Sequence, residues 1–371
     1  MSMAAWFELK DIDSLDTPCL VVFPDRVERN IRNMVNMAGD ASRIRPHVKT
    51  HKTREGVLMM MAAGISRFKC ATIAEAELLG ICEAPDVLLA YQPHGPKAVR
   101  LIEVARRFPG TRFSCLVDNH DSAKSLSDIC TTRGFRMPVY IDLNLGMNRT
   151  GIVPGEEALQ LYAFCDGLPG IIPVGLHAYD GHHRHTDPEE RRKACDASFS
   201  GLQSMHDALV EKRFPEPALV VGGSPTFPIH AQRKNVECSP GTNIFWDGSY
   251  ARICSEQPFE PAVVLVSRVL SLPADDRICL DIGHKSVAAE NDITRRVHFP
   301  GHTGLTPVSQ SEEHLVLTTA PGHGLKPGDV LYGIPYHICP TVALHEKLHV
   351  AREGRLDGEW RVLARDRRIS I

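Results

Sequence analysis

The stretch RIRPHVKTHK, Arg43 to Lys52, decides how the rest of the chain is read. Ile44, His47 and Val48 give it short β-strand character. Pro46 inside the run fits a strand end or an irregular barrel strand, because proline has no N–H to offer a ladder. Lys49 then falls where strand gives way to loop. A lysine in that position is ordinarily a solvated cation. It becomes a carbonyl-trapping nucleophile only where a site lowers its pKa and holds it in place. The remainder of the chain must supply such a site.

Working outward, residues from about 19 to 245 alternate short β runs with amphipathic stretches. The β runs are CLVVF, RIRPHVKT, RFKCAT, DVLLAY, RFSCLV, MPVYIDLN, IIPVGLHAY and ALVVGGS. Segments such as RVERNIRNMVNMAG, AEAELLGICE and KAVRLIEVARRF lie between them at helical spacing. Eight such runs over roughly 225 residues predict an α/β fold, a (β/α)₈ TIM barrel. The alternative is an open doubly wound sheet. It needs fewer strands and normally a glycine-rich turn after the first, and CLVVFPDRV has none.

After about residue 250 the helical periodicity fades. PAVVLVSRVLSL, RICLDIG, HLVLTT, DVLYGIP, EKLHVA and WRVLARDR are β runs punctuated by turn residues. The predicted division is a barrel over 19–248 and a C-terminal all-β domain over 249–371, with 1–18 packing on the latter.

Composition narrows the function. In 371 residues, 42 Lys plus Arg nearly balance 45 Asp plus Glu, for a formal charge of −3. That argues against nucleic acid or an anionic membrane as the main partner. No apolar run reaches the ~18 residues of a membrane span, and MSMAAWFELKDIDS lacks a signal pattern. None of the 11 cysteines forms a C-x-x-C pair, which fits free thiols in a reducing cytoplasm.

In a barrel the strand C-termini face the active site. Lys49 then follows the second strand, Gly146-Met147-Asn148-Arg149 the sixth, and His177, Tyr179, Asp180 and His182 end the seventh. Gly222, Gly223, Ser224 and Thr226 close the last clear strand, and Ser239-Pro240-Gly241-Thr242 follows. Glycines with hydroxyls at a strand end expose N–H groups that can cradle a phosphate. Either stretch alone reads equally as an ordinary turn. Two of them on adjacent late strands coincide with the usual phosphate position of barrels.

The motifs HVKTHK, GMNRTG, GLHAYDGH, GGSPT, SPGT and HICPT, in this order, resemble the D-threonine aldolase and D-serine dehydratase family. These are pyridoxal-phosphate enzymes of the alanine racemase fold type, a barrel followed by a β domain. The resemblance covers nearly the whole chain. It implies that Lys49 is the Schiff-base lysine, and that Gly222, Gly223, Ser224, Gly241 and Thr242, with Thr226, hold the cofactor phosphate. It also implies that Arg149 stands beside the ring or its phenolic oxygen and that Tyr179, or else His177, lies against the ring. Ser239 stands where alanine racemases carry arginine, so the partner of the pyridine nitrogen is left open. Asp281, Gly283, His284 and Lys285 match a family segment without an assigned role.

His337-Ile338-Cys339 invites a separate reading. Read as a strand, i and i+2 point to one face, so imidazole and thiol converge. His with Cys suits Zn²⁺ better than Mg²⁺ or Ca²⁺, although an isolated H-x-C is ordinarily a core histidine and a free cysteine. The resemblance makes the pair the divalent-metal site, zinc first, with manganese or magnesium as alternatives. The cluster His182-His183-Arg184-His185 reads as a polar loop over the barrel mouth, with His182 the candidate substrate contact or general base.

Together these imply a pyridoxal-phosphate- and metal-dependent lyase on D-β-hydroxy-α-amino acids, in a homodimer. Family aldolases tend to carry a carboxylate where Cys339 stands and dehydratases a cysteine. The reading therefore leans to dehydration of D-serine or D-3-hydroxyaspartate to a 2-oxo acid and ammonia. The alternative is D-threonine aldolase chemistry, giving glycine and an aldehyde. More distant are an amino-acid racemase, which has no use for a metal pair, and a non-catalytic carrier of pyridoxal phosphate.

Overall fold

The computed structural model describes residues 6–371, and the N-terminal five, part of the 1–18 segment assigned above, lie outside the described residues. The chain divides into two compact units. One comprises Arg32–Lys49, Val57–Gly241 and Asp366–Ile371; the other takes the residues up to Ile31, Thr50–Gly56 and Thr242–Arg365.

The first unit is built on seven parallel strands in sequence order: Arg67–Cys70, Asp86–Leu89, Arg112–Val117, Met137–Leu143, Ile171–Ala178, Ala218–Val221 and Glu237–Cys238. Residues 44–48 join the two ends of this sheet. Ile44 bridges Cys238 and His47 bridges Lys69, both in parallel sense. The Arg45 N–H donates to the Cys238 carbonyl at 2.8 Å, and Val48 N–H and Lys69 N–H reach the carbonyls of Lys69 and Pro46 at 2.9 Å. The segment is a closing strand kept irregular by Pro46, which has no N–H. Leu88, Leu116, Tyr140 and Val220, from four of the strands, form one buried cluster.

Eight barrel positions are therefore present, but their membership differs from the sequence reading by one. CLVVF is not a barrel strand. Cys19–Val22 pairs antiparallel with Val263–Ala274 and parallel with Lys347–Arg352 in the other unit. All four of its residues are buried, and an apolar run covered on both faces carries no mark of which sheet it joins. The eighth strand is instead Glu237–Cys238, too short and too polar to stand out. Lys49 thus follows the first position of the barrel, Gly146–Arg149 the fifth and His177 ends the sixth.

Glu237 has a tertiary reason to be there. The Arg45 guanidinium, 1% exposed, donates to Glu237 and to Asp86, each at 2.6 Å. A buried charge of this kind is tolerated because both partners are present.

The second unit is a nine-stranded, mostly antiparallel sheet. Its main path runs Thr306–Gln310, Leu315–Thr318, Arg277–Leu280, Val263–Ala274, Cys19–Val22, Lys347–Arg352, Arg355–Arg361. Phe7, Leu9 and Leu15 join Val21, Val264 and Val266 in its core. Among the described residues, no helix is long and apolar enough to cross a membrane.

Candidate active site

In the barrel unit, Lys49 ends the closing segment, with its backbone N–H on His47 Nδ1 at 3.2 Å. It lines a cavity of about 390 Å³ together with Lys69, Asp142, Arg149, His177 and Tyr179. That volume lies in the ~300–1,000 Å³ range of small-molecule sites. The Tyr179 ring organises the wall. The Arg149 guanidinium carbon is 5.0 Å from its centroid and Lys49 Nζ is 5.8 Å away, both within cation–π range. Gly223 lies against the same ring: a Cβ there would be 3.0 Å from Tyr179 Cε2, so any larger residue would press on it.

A buried polar chain lines the same cavity. His177 Nδ1 and Asp142 Oδ1 are 2.7 Å apart, and Gln92 Nε2 donates to Asp142 Oδ2 at 3.0 Å. Burial alone would raise the Asp142 carboxyl, but the hydrogen bond and charge of His177, with Thr150 and Gln92, hold it below the usual range. Asp142 is therefore a carboxylate that accepts the Nδ1 proton. Burial keeps His177 below its ordinary value, so it is neutral with its Nε2 lone pair free to accept.

The glycine turn that the sequence marks as a phosphate cradle is braced from beneath. Thr226 donates to Asp180 Oδ1 at 2.7 Å and accepts from the Gly223 N–H at 3.2 Å. Ser224 Oγ accepts from the Gly241 N–H at 3.1 Å, which ties the two glycine turns together. Gly222 has φ +80°, and a Cβ would stand 2.6 Å from His230 Cδ2. Only glycine fits there without strain. A small-residue turn braced beside a cavity with two lysines, an arginine and an aromatic face suits a planar anionic aldehyde cofactor such as pyridoxal phosphate.

Asp180, Cys195 and His230 offer ligand atoms within 4.8 Å of one another. Their hydrogen bonding argues against a metal there. Arg233 Nε lies 3.3 Å from His230 Nδ1, so Nδ1 accepts and Nε2–H donates to Asp180 Oδ2 at 2.7 Å. Burial, then the charge of Asp180, pushes the Cys195 thiol up to about 12, and a metal takes the thiolate. His182 Nδ1 is buried without a hydrogen-bond partner among the described residues, and its Nε2 would lie 3.2 Å from a Cβ on Gly146.

In the second unit, His337 and Cys339 are not on a strand. His337 is the N-cap of helix Ile338–Leu344 and Cys339 lies in its first turn. Strand Val330–Pro335 ends two residues before, and a helix start brings i and i+2 together by a different route from the alternation expected. The side chains do hydrogen-bond to each other. Glu290 occupies His337 Nδ1, which leaves Nε2 for a metal, the arrangement in which a carboxylate fixes a ligating imidazole. Asp247 accepts from the Ile338 N–H at 3.1 Å and from Tyr250 N–H at 2.9 Å, so it anchors this turn. Burial opposes charge on His337, but Cys339, Glu290 and Asp247 together push it up to about 9. Thr50 Oγ1 is 3.1 Å and Thr242 Oγ1 3.6 Å from Cys339 Sγ. The donor set fits a divalent metal of zinc type.

Several of these groups escape a linear reading. Lys69 sits in RFKCAT and Asp142 in YIDLN, each a charged residue inside an apolar run, which is the one signal the sequence offers. Glu290, His230 and Cys195 give no such signal, because their partners come from distant segments.

A closed parallel barrel with a lysine at the end of its closing strand, followed by a β-rich unit, is the architecture of the alanine racemase class. The family model described as alanine racemase, N-terminal domain, matches residues 22–247, and a putative serine dehydratase domain matches residues 262–351. The chain is 30% identical to a D-threonine aldolase of Arthrobacter sp. over 358 residues, 95% of this chain and 93% of that one. It is 25% identical to a D-threo-3-hydroxyaspartate dehydratase of Delftia sp. (strain HT23), covering 89% and 92%. The crystal structure of D-threonine aldolase from Filomicrobium marinum superposes with a TM-score of 0.88 at 27% identity, over 98% of this chain and 99% of that one. The chain belongs to the D-threonine aldolase and D-serine dehydratase family of pyridoxal-phosphate lyases, with the alanine racemase N-terminal domain. The aldolase and the dehydratase it resembles are both lyases.

Proposed function

We propose that the protein is a metal-dependent dehydratase of D-β-hydroxy-α-amino acids of the D-serine or D-3-hydroxyaspartate kind, yielding a 2-oxo acid and ammonia. The observation that carries this reading is the His337–Cys339 pair, a thiol and an imidazole oriented by Glu290. Lys49 holds the cofactor and is the amine placed to take the substrate's α-proton. Arg149 and Tyr179 fix the ring, and Gly222, Gly223, Ser224 and Gly241, with Thr242 and Thr226, hold its phosphate. His177, neutral and tied to Asp142, supports the cavity wall. When bound, pyridoxal phosphate supplies an electron sink for charge at the α-carbon. A divalent metal on His337 and Cys339, zinc in first place, supplies Lewis acidity toward the β-oxygen. His182 is the candidate further base.

A second reading, D-threonine aldolase activity, is favoured by the 30% identity to the Arthrobacter enzyme. Eleven cysteines without a disulfide among them fit a reducing cytoplasm, and a homodimer is the expected assembly.

The test is a product assay on metal-loaded protein with D-serine, D-threonine and D-threo-3-hydroxyaspartate, beside Lys49→Ala and Cys339→Ala. Ammonia with a 2-oxo acid, lost in both variants, supports dehydration. Glycine with an aldehyde makes the protein an aldolase that uses a thiol ligand. Unchanged activity and metal content in Cys339→Ala would sink the metal assignment.

A further inference from the structure

The cavity holds a second lysine that the proposed chemistry leaves without work. Lys69 is 2% exposed, on strand Arg67–Cys70, and its Nζ lies 5.8 Å from the Tyr179 ring centroid, the same distance as Lys49 Nζ. An ammonium has three protons to place, yet among the described residues Lys69 Nζ has one hydrogen-bond partner, His177 Nε2 at 3.5 Å. Among the described residues, no carboxylate lies at ion-pair distance from it. A buried ammonium so poorly served either finds a ligand or gives up its proton. We propose that Lys69 is a second proton-transfer residue of the cavity. Its free amine takes a proton from the bound amino acid and, as the ammonium, returns one to the product, so the enzyme ends the cycle unchanged.

The surrounding charges suit such a role. Burial drives the proton off Lys69 first; positive charge at Lys49, while its amine is free of cofactor, and at Arg45 adds to it. Asp142 and Asp180 pull the other way, and the balance falls at about 7. Both forms are therefore populated near neutral pH, the condition under which one group can accept and donate efficiently. His177 makes a suitable tether. Its own proton is committed to Asp142, so it presents only a lone pair to Lys69 and orients the amine without competing as a donor. The other use of a buried lysine is as a fixed cation for a substrate carboxylate. That role needs a permanent charge, which Arg149 on the same cavity wall provides and which the surroundings of Lys69 oppose.

The inference rests on the reading that Lys49 carries the cofactor, and the experiment separates the two. Wild type, Lys69→Met and Lys69→Arg are prepared as full-length, cofactor-loaded protein. In protein labelled with ¹³Cε-lysine, the resonance that disappears in Lys69→Met should titrate near neutral pH; a midpoint above 9 would overturn the proposal without reference to any variant's activity. With D-serine, D-threonine and D-threo-3-hydroxyaspartate, kcat should fall about 10²–10⁴-fold in both variants with KM little changed. Recovery of kcat in Lys69→Arg would make Lys69 a fixed cation and sink the proposal. Borohydride reduction followed by peptide mass mapping should place the cofactor on Lys49 in all three proteins. A label on Lys69 instead would overturn the Lys49 reading and this one together, whereas a label on Lys49 with an active Lys69→Arg would overturn this one alone.

Discussion

Asp180 Oδ2 accepts from His230 Nε2 at 2.7 Å, while the other oxygen of the same carboxylate accepts from Thr226. Both residues are buried, 1% and 2% exposed, so neither has water to fall back on. The pair stands under the Gly222–Gly223 turn and fixes it from inside the barrel unit. Asp180→Asn presents a donor to one of two neighbours that are themselves donors. The expected cost is about 2–3 kcal/mol of stability, with weaker retention of pyridoxal phosphate. Urea unfolding and a cofactor dialysis assay check it. The same variant should leave the metal content unchanged, since the Asp180–Cys195–His230 cluster is a hydrogen-bond network.

Arg45 joins the closing strand to Glu237 and Asp86. Arg45→Met would leave Glu237 to Arg67 alone and Asp86 to the more distant Arg112, both more exposed than Arg45, at a cost of about 3 kcal/mol. Urea midpoints of Arg45→Met and of Arg45→Met combined with Glu237→Gln and Asp86→Asn measure it. The triple variant should regain part of the loss; if it is the less stable of the two, the ion-pair explanation is wrong.

His51 gives the clearest pH dependence. It is fully buried, its Nδ1 is taken up by Thr53, and its Nε2 has no hydrogen-bond partner among the described residues. Burial, then Lys52, lowers it from 6.5 to about 3. A depressed folded value means the unfolded chain binds the proton first. The His51 contribution is thus fully present above pH 6.5 and drains away as pH falls toward 3. Between pH 6.5 and 5 it accounts for a loss of ~2 kcal/mol. Unfolding free energies of wild type and His51→Gln across that interval should differ in slope, the variant showing the shallower one, so that the wild type's advantage shrinks as pH falls.

Glu290 orients His337 through Nδ1. Glu290→Gln should leave the fold intact and weaken metal retention about 10–100-fold. Metal analysis after dialysis against a graded chelator reads this directly. Equal retention in wild type and variant would show that Glu290 is only a surface partner.

Much of this site is written in the chain locally. Lys49 after a proline-interrupted strand, the glycine-hydroxyl turns and the alternation of β runs with amphipathic stretches follow from backbone geometry and side-chain period, which short windows of sequence report. Those windows do not report partners. CLVVF reads as a barrel strand because burial on both faces looks the same in any sheet, and Glu237–Cys238 hides because two residues have no period. His337 and Cys339 meet at a helix start, where the sequence suggests a strand, because Asp247, ninety-one positions away, captures the Ile338 N–H.

The sequence by itself determined the barrel-plus-β plan and the family, and it put Lys49 at a strand end, since each depends on residue types at short spacing. Only the tertiary structure decided which strand closes the barrel, that burial keeps His177 neutral while Asp142 takes its Nδ1 proton, and that Lys69 is buried beside Lys49's cavity wall with too few partners for its charge. The physical reason is that burial and charge balance are sums over groups brought together by folding, and no stretch of chain carries that sum alone.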